Sequence, residues 1–82
     1  MKMIPTINMI KTGERIRRLR MEHGYRVRDL QKMIGLESPQ SIYKWERGAN
    51  LPSIDKAIIL AWIYGISVDE LFVLDDDMSK AG

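Results

Sequence analysis

The stretch Ser38-Pro39-Gln40-Ser41-Ile42-Tyr43-Lys44-Trp45-Glu46-Arg47-Gly48 reads as one short amphipathic helix. Ser38 is a preferred N-cap, Pro39 suits the first helical turn, and Gly48 suits a left-handed exit. Ile42 and Trp45 form an apolar side, while Gln40, Ser41, Lys44 and Arg47 form a polar one. A helix this short is not stable alone in water, so other segments must hold it. The side chains it leaves free are an amide, a hydroxyl and cations, the groups that pair with base edges and phosphates. The remaining segments are therefore expected to present this helix to DNA.

The chain has 82 residues, enough for one small domain that shares a core among several short helices. Apolar residues make up 45% and charged residues 29%, which suits a folded globular protein and argues against wholesale disorder. There is no cysteine, so neither a disulfide framework nor thiol chemistry is available, and the single histidine, His23, does not make a metal site by itself. The longest apolar run, Ala57 to Tyr64, is far too short to span a bilayer, and Lys2 is not followed by a signal-peptide pattern. These features predict a cytoplasmic protein, with no membrane partner, no cofactor and no small-molecule site.

The formal net charge of +2 conceals a split. Residues 1–48 hold eleven Lys and Arg against five acids, a net of +6; residues 49–82 hold two against six, a net of −4. The basic half contains the proposed reading helix, and a basic face is the footprint of a polyanionic partner. Lopsided charge is also common in small domains, so charge alone does not decide the matter.

Outward from the opening stretch, the spacing predicts helices and no strands. Residues 1–8 read as a loose lead-in, since Pro5 and Thr6 oppose a helix reaching the first residue. A first helix starts near Asn8, or alternatively at Thr12, and runs to about Glu22 on the spacing of Met9, Ile16 and Leu19. Gly13 inside it costs about 1 kcal/mol relative to Ala, which is the reason for the alternative start. Arg15, Arg17 and Arg18 read as a solvated face, and His23 as a helix-end residue before Gly24. A second helix spans about Val27 to Ile34, with Leu30 and Ile34 inward and Gly35 ending it. Two helices joined by a tight glycine-containing turn make a helix-turn-helix arrangement.

After Gly48, Ser53 caps a fourth helix, Ile54 to about Tyr64, stopped by Gly65. Ser67-Val68-Asp69-Glu70 is a capping box that opens a fifth helix to about Leu74. Residues 75–82 read as an acidic, solvated tail. On the fourth helix, Ile59, Trp62 and Ile63 stand at i, i+3 and i+4 and form one stripe, distinct from an inward face of Ile58, Leu60 and Ala61. Val68 and Phe72 extend the stripe, which then serves as a homodimer contact; the alternative is that the chain's own termini cover it.

The ordered set Gly13-x-x-Ile16-x-x-Leu19-Arg20, Leu30, Gly35, Ile42-x-x-Trp45-Glu46-x-Gly48, Pro52-Ser53 and Gly65-Ile66-Ser67-Val68-Asp69-Glu70-Leu71 resembles the Cro/C1-type (XRE) helix-turn-helix family. The similarity covers about residues 10–74, and several spaced motifs agree in order. The resemblance implies an all-α, compact five-helix lambda-repressor-like domain over 9–74, whose third helix (about 38–47) lies in the major groove. It further implies a sequence-specific, commonly dimeric transcriptional regulator of double-stranded DNA, here a repressor on a palindromic operator. Carried over by position, Gln40, Ser41 and Lys44, with Tyr43 beside them, are base readers. Arg26 and Arg28 meet the DNA backbone, with Arg47 either another phosphate ligand or a helix-end partner. Arg20 and Glu46 make a structural ion pair. Family members generally place polar residues at the positions of Ile59, Trp62 and Ile63, so the resemblance implies that this stripe is exposed.

Two departures from the pattern stand out. Val27 replaces a common glutamine, and Gln31 replaces an alanine that permits close contact between helices 2 and 3. The segment from Gly35 to Ile42 is also one residue longer than the commonest form, which sets helix 3 further out. A competing function is a protein–protein module, antitoxin-like or bound to an anti-repressor, in which the fourth-helix stripe is the main surface. An enzyme is disfavoured, because no base stands near any paired acids in this sequence.

Overall fold

The computed structural model describes residues 5–75. Five helices follow one another: α1 (Met9–Glu22), α2 (Val27–Ile34), α3 (Gln40–Arg47), α4 (Ile54–Tyr64) and α5 (Val68–Leu71). The expectation of helices without strands is corrected by a two-residue antiparallel pairing of β1 (Thr6–Ile7) with β2 (Leu74–Asp75). Backbone groups in these flanking segments need partners, and they find them in each other. The fifth helix accordingly stops at Leu71, not near Leu74. Residues 1–4 and 76–82, which carry most of the expected lead-in and acidic tail, lie outside the described residues.

Asn8 joins the two ends of the domain. Its Oδ1 accepts from the Lys11 N–H at 2.9 Å, which caps α1 and starts the helix ahead of Gly13. Its Nδ2 donates to the Asp75 carboxylate at 3.1 Å, and its backbone N–H donates to the Val73 carbonyl at 2.8 Å. Thr12, fully buried, accepts from the Val73 N–H at 2.9 Å through its hydroxyl. Arg15 is not simply solvated: its Nε donates to the Glu70 carbonyl. The segment from Glu70 to Asp75 is thereby tied to the first turns of α1.

The core is built from one stripe of each helix, including Ile16, Leu30, Ile42, Leu60 and Leu71, all essentially inaccessible to solvent. Val27, too apolar for the polar contact its position often makes, is buried among them. On α4 the inward positions are Ala57, Leu60, Ala61 and Tyr64, spaced as i, i+3, i+4 and i+7. The assignment of Ile58 to that face is corrected. One residue after Ala57 it is rotated about 100° away, and it stands 52% exposed. The expected exposed stripe is corrected too: Ile59 and Ile63, with Val68 and Phe72, are half-buried against the core, whereas Trp62 is 83% exposed, in line with Ile54 and Ile58.

Gly13 lies in α1 where α3 crosses it. A Cβ there would meet the carbonyl oxygens of Trp45 and Glu46 at 2.5 and 2.6 Å. Gly48, leaving α3 with φ 77°, is equally tight: a Cβ would stand 2.9 Å from the Met9 carbonyl and the Ile10 side chain. The glycine that weakens α1 as an isolated helix is the one that lets α3 pack on it. Gly13→Ala is expected to lower stability by about 2 kcal/mol in denaturant unfolding, because the clash with rigid backbone outweighs the gain in helix propensity. An unchanged or raised midpoint would refute this contact.

Candidate nucleic-acid interface

The interface is assembled from α2 and α3. The first turn of α2 is closed by Asp29, whose carboxylate accepts the Arg26 backbone N–H at 2.8 Å. That hydrogen bond, followed by the Arg26 side chain, holds the Asp29 carboxyl below its ordinary value. Beyond Gly35, the Gln31 carbonyl accepts from both Gly35 and Leu36 at 3.0 and 2.9 Å, turning the chain toward α3. The Gln31 side chain enters the same turn, its Nε2 donating to the Leu36 carbonyl at 3.4 Å.

The expected cap is displaced by one residue. Pro39, at φ −77° and ψ −6°, occupies the N-cap of α3, and its carbonyl accepts from Tyr43 at 3.2 Å. The pyrrolidine ring sets φ near the helical value, so the chain begins to coil at Pro39. Ser38 Oγ still accepts from the Gln40 N–H, but at 3.4 Å this is a weak contact.

From this start α3 turns Ile42 and Trp45 into the core and leaves Gln40, Tyr43, Lys44 and Arg47 exposed. Gln40 and Lys44, at i and i+4, form one ridge. Ser41 is half-buried at its edge. Arg26 and Arg28 are exposed at the start of α2. The structure thus brings an amide, an ammonium and three guanidinium groups to the surface of two successive helices. Between them runs a cleft of about 390 Å³ lined by Arg20, Arg26, Val27, Arg28, Gln31, Pro39 and Tyr43. Arg20 and Gln31 were not among the binding residues expected from sequence. Gln31 carried a signal nonetheless, as a large polar residue where tight helix contact calls for a small one.

Arg20 supports α3 from behind. Its Nε and Nη2 bond Glu46 at 2.6 and 3.0 Å, and Nη1 donates to the Tyr25 carbonyl at 3.1 Å. The side chains retain only 14% and 7% of their accessible surface. The Glu46 hydrogen bond outweighs burial and holds the Arg20 guanidinium above its ordinary value. Nearby, Tyr64 packs against the His23 ring at 4.8 Å between centroids, and burial pushes its phenol well above the usual range.

Fold and site together define a DNA-binding type of domain, a Cro/C1-type helix-turn-helix with α3 presented outward. The chain belongs to the helix-turn-helix family, whose model matches residues 16–71. It is similar to a Pyrococcus furiosus protein named as an HTH-type transcriptional regulatory protein, with 41% identity over 69 residues, 84% of this chain and 20% of that one. The chain thus spans about a fifth of the length of that relative. Among solved structures it is similar to the restriction-modification controller protein C.AhdI from Aeromonas hydrophila, at 31% identity and a TM-score of 0.69, covering 78% of this chain and 96% of that chain. The biofilm regulator SinR, solved in complex with DNA, matches at 28% identity and a TM-score of 0.65, covering 73% and 95% of the respective chains.

The Arg20–Glu46 pair makes a sharp energetic prediction. Glu46→Ala is expected to cost about 3 kcal/mol in chemical denaturation, because it strands a largely buried guanidinium. Replacing both residues with methionine is expected to cost less than the single change. A double variant as unstable as the sum of the two single variants would contradict this account.

Proposed function

We propose that this chain is the sequence-reading module of a transcriptional regulator that binds double-stranded DNA. The carrying observation is the exposed Gln40–Lys44 ridge of α3, flanked by Arg26, Arg28 and Arg47. Gln40 is suited to bidentate pairing with adenine and Lys44 to guanine acceptors, with Ser41 at the edge. The flanking guanidinium groups neutralise phosphates and set the orientation of the helix on the duplex. The likeness to SinR, a DNA-bound regulator, supports the reading, as do relatives named as transcriptional regulators. Occupying an operator is enough to repress, so repression is the proposed mode, in the cytoplasm and at the nucleoid.

Selection of bound sequences from random duplex DNA tests this directly. Gln40→Ala is expected to relax preference at one base position. Arg28→Ala should weaken all sequences alike and reduce the salt slope by about 0.9. Failure to enrich any sequence would overturn the proposal.

A second surface favours self-association. Ile54, Ile58 and Trp62 stand exposed along α4, while Ile59, Ile63, Val68 and Phe72, also candidates for the contact, are half-buried against the core. An exposed apolar stripe centred on a tryptophan suits a homodimer contact. A dimer through α4 would place two α3 helices on a palindromic operator, with half-sites about 34 Å apart. This same stripe supports the alternative reading as a protein–protein module. Trp62→Glu is expected to halve the mass in sedimentation; an unchanged mass would remove α4 from the dimer contact.

A further inference from the structure

The position of Tyr43 separates it from the residues that share its helix face. Gln40 and Lys44 lie on one ridge of α3, whereas Tyr43 is rotated about 60° from Gln40 around the helix axis. On that side it lines the cleft shared with Arg26, Arg28 and Gln31 of the α2 region. It is 44% exposed, so the ring is partly packed and partly open. It also lies close enough to Arg20 to act on that guanidinium electrostatically.

The cleft has a specific chemistry. Its back wall is Arg20, three of whose bonds are committed to Glu46 and the Tyr25 carbonyl. That commitment fixes the guanidinium plane instead of leaving it to follow a ligand. Arg28 is exposed and makes no ion pair with any described residue, and the Arg26 side chain, 80% exposed, makes only a 3.4 Å contact to Asp29. Gln31 lines the cleft from α2, its Nε2 donating to the Leu36 carbonyl at 3.4 Å. The cleft thus gathers two exposed cations, one fixed cation and a phenol. A singly charged, oxygen-rich group fits this chemistry, and an apolar or cationic group does not.

We propose that Tyr43 is a backbone ligand and not a base reader: its hydroxyl and Arg28 hold the same DNA phosphate over the α2–α3 cleft. This rests on the DNA-binding reading above and sharpens it. The phosphate bridges the two helices and fixes the distance of α3 from the duplex. Base reading then falls to Gln40, Lys44 and the edge residue Ser41.

The test uses the full chain and duplexes that the wild-type protein selects from a random pool. Tyr43→Phe removes only the hydroxyl of a partly exposed ring, and a thermal melt checks that folding is kept. The expected result is a loss of affinity of about tenfold on every selected sequence, as for one hydrogen bond to a charged group. Base preferences stay unchanged, and so does the salt slope, because the phenol is neutral. Replacing single phosphates by uncharged methylphosphonates should reveal one position where the Tyr43→Phe and Arg28→Ala losses are each absorbed. A changed preference at a base position would make Tyr43 a base reader and overturn the proposal. Unchanged affinity, or losses that map to two different phosphates, would overturn it as well. If the wild-type chain enriches no sequence, the DNA-binding reading itself fails, a result distinct from all of these.

Discussion

The close crossing of α1 and α3 is the contact on which the remainder of the domain depends. The carbonyls of Trp45 and Glu46 sit where a side chain at Gly13 would be, and Gly48 fits against Met9 and Ile10 in the same way. Backbones this near leave no freedom for α3 to slide or roll. The bidentate Arg20–Glu46 pair then fixes its rotation, since displacing α3 would strand a buried charge on each partner. With Ile42 and Trp45 in the core, each contributing about 2 kcal/mol by burial, the outward ridge is decided from behind.

A second constraint acts at the domain's edge. Asn8 caps α1 with one atom and binds Asp75 with another, while Thr12 accepts from Val73. These contacts anchor the N-terminal end of α1, the same end that receives Gly48 and the last turn of α3. The short β1–β2 pairing is thus part of the support of the reading helix, three elements away in sequence on either side. Polar groups near the termini that would otherwise be solvated become structural.

The two exposed surfaces have different physical origins. The polar ridge of α3 is what remains of a helix whose other side is buried. The apolar stripe of α4 arises because that helix is hydrophobic nearly all round, more than its core face requires.

Most helices were legible in the sequence because their ends carry strong local chemistry: Asn8, Ser53 and Ser67 at starts, Gly35, Gly48 and Gly65 at exits. The role of Gly13 was less so. Taken alone it is a weak helix residue, and its benefit exists only once α3 lies across it. The inward set of α4 was misassigned at Ile58 for a similar reason. In a run of apolar residues, hydrophobicity does not distinguish core from surface, and only the phase set by Ala57, Leu60, Ala61 and Tyr64 against their neighbours does. The strand pairing escaped notice because two-residue strands carry no periodic signal.

By itself, then, the sequence determined the helix-turn-helix class, the position of the Ser38–Gly48 helix and the division of Gln40 and Lys44 from Ile42 and Trp45. Those follow from capping and 3.6-residue periodicity, which act over a few neighbours. Only the tertiary structure decided that Tyr43, Gln31 and Arg20 line one cleft between α2 and α3. That depends on how one helix is placed against another, a relation set by packing between residues distant in the chain.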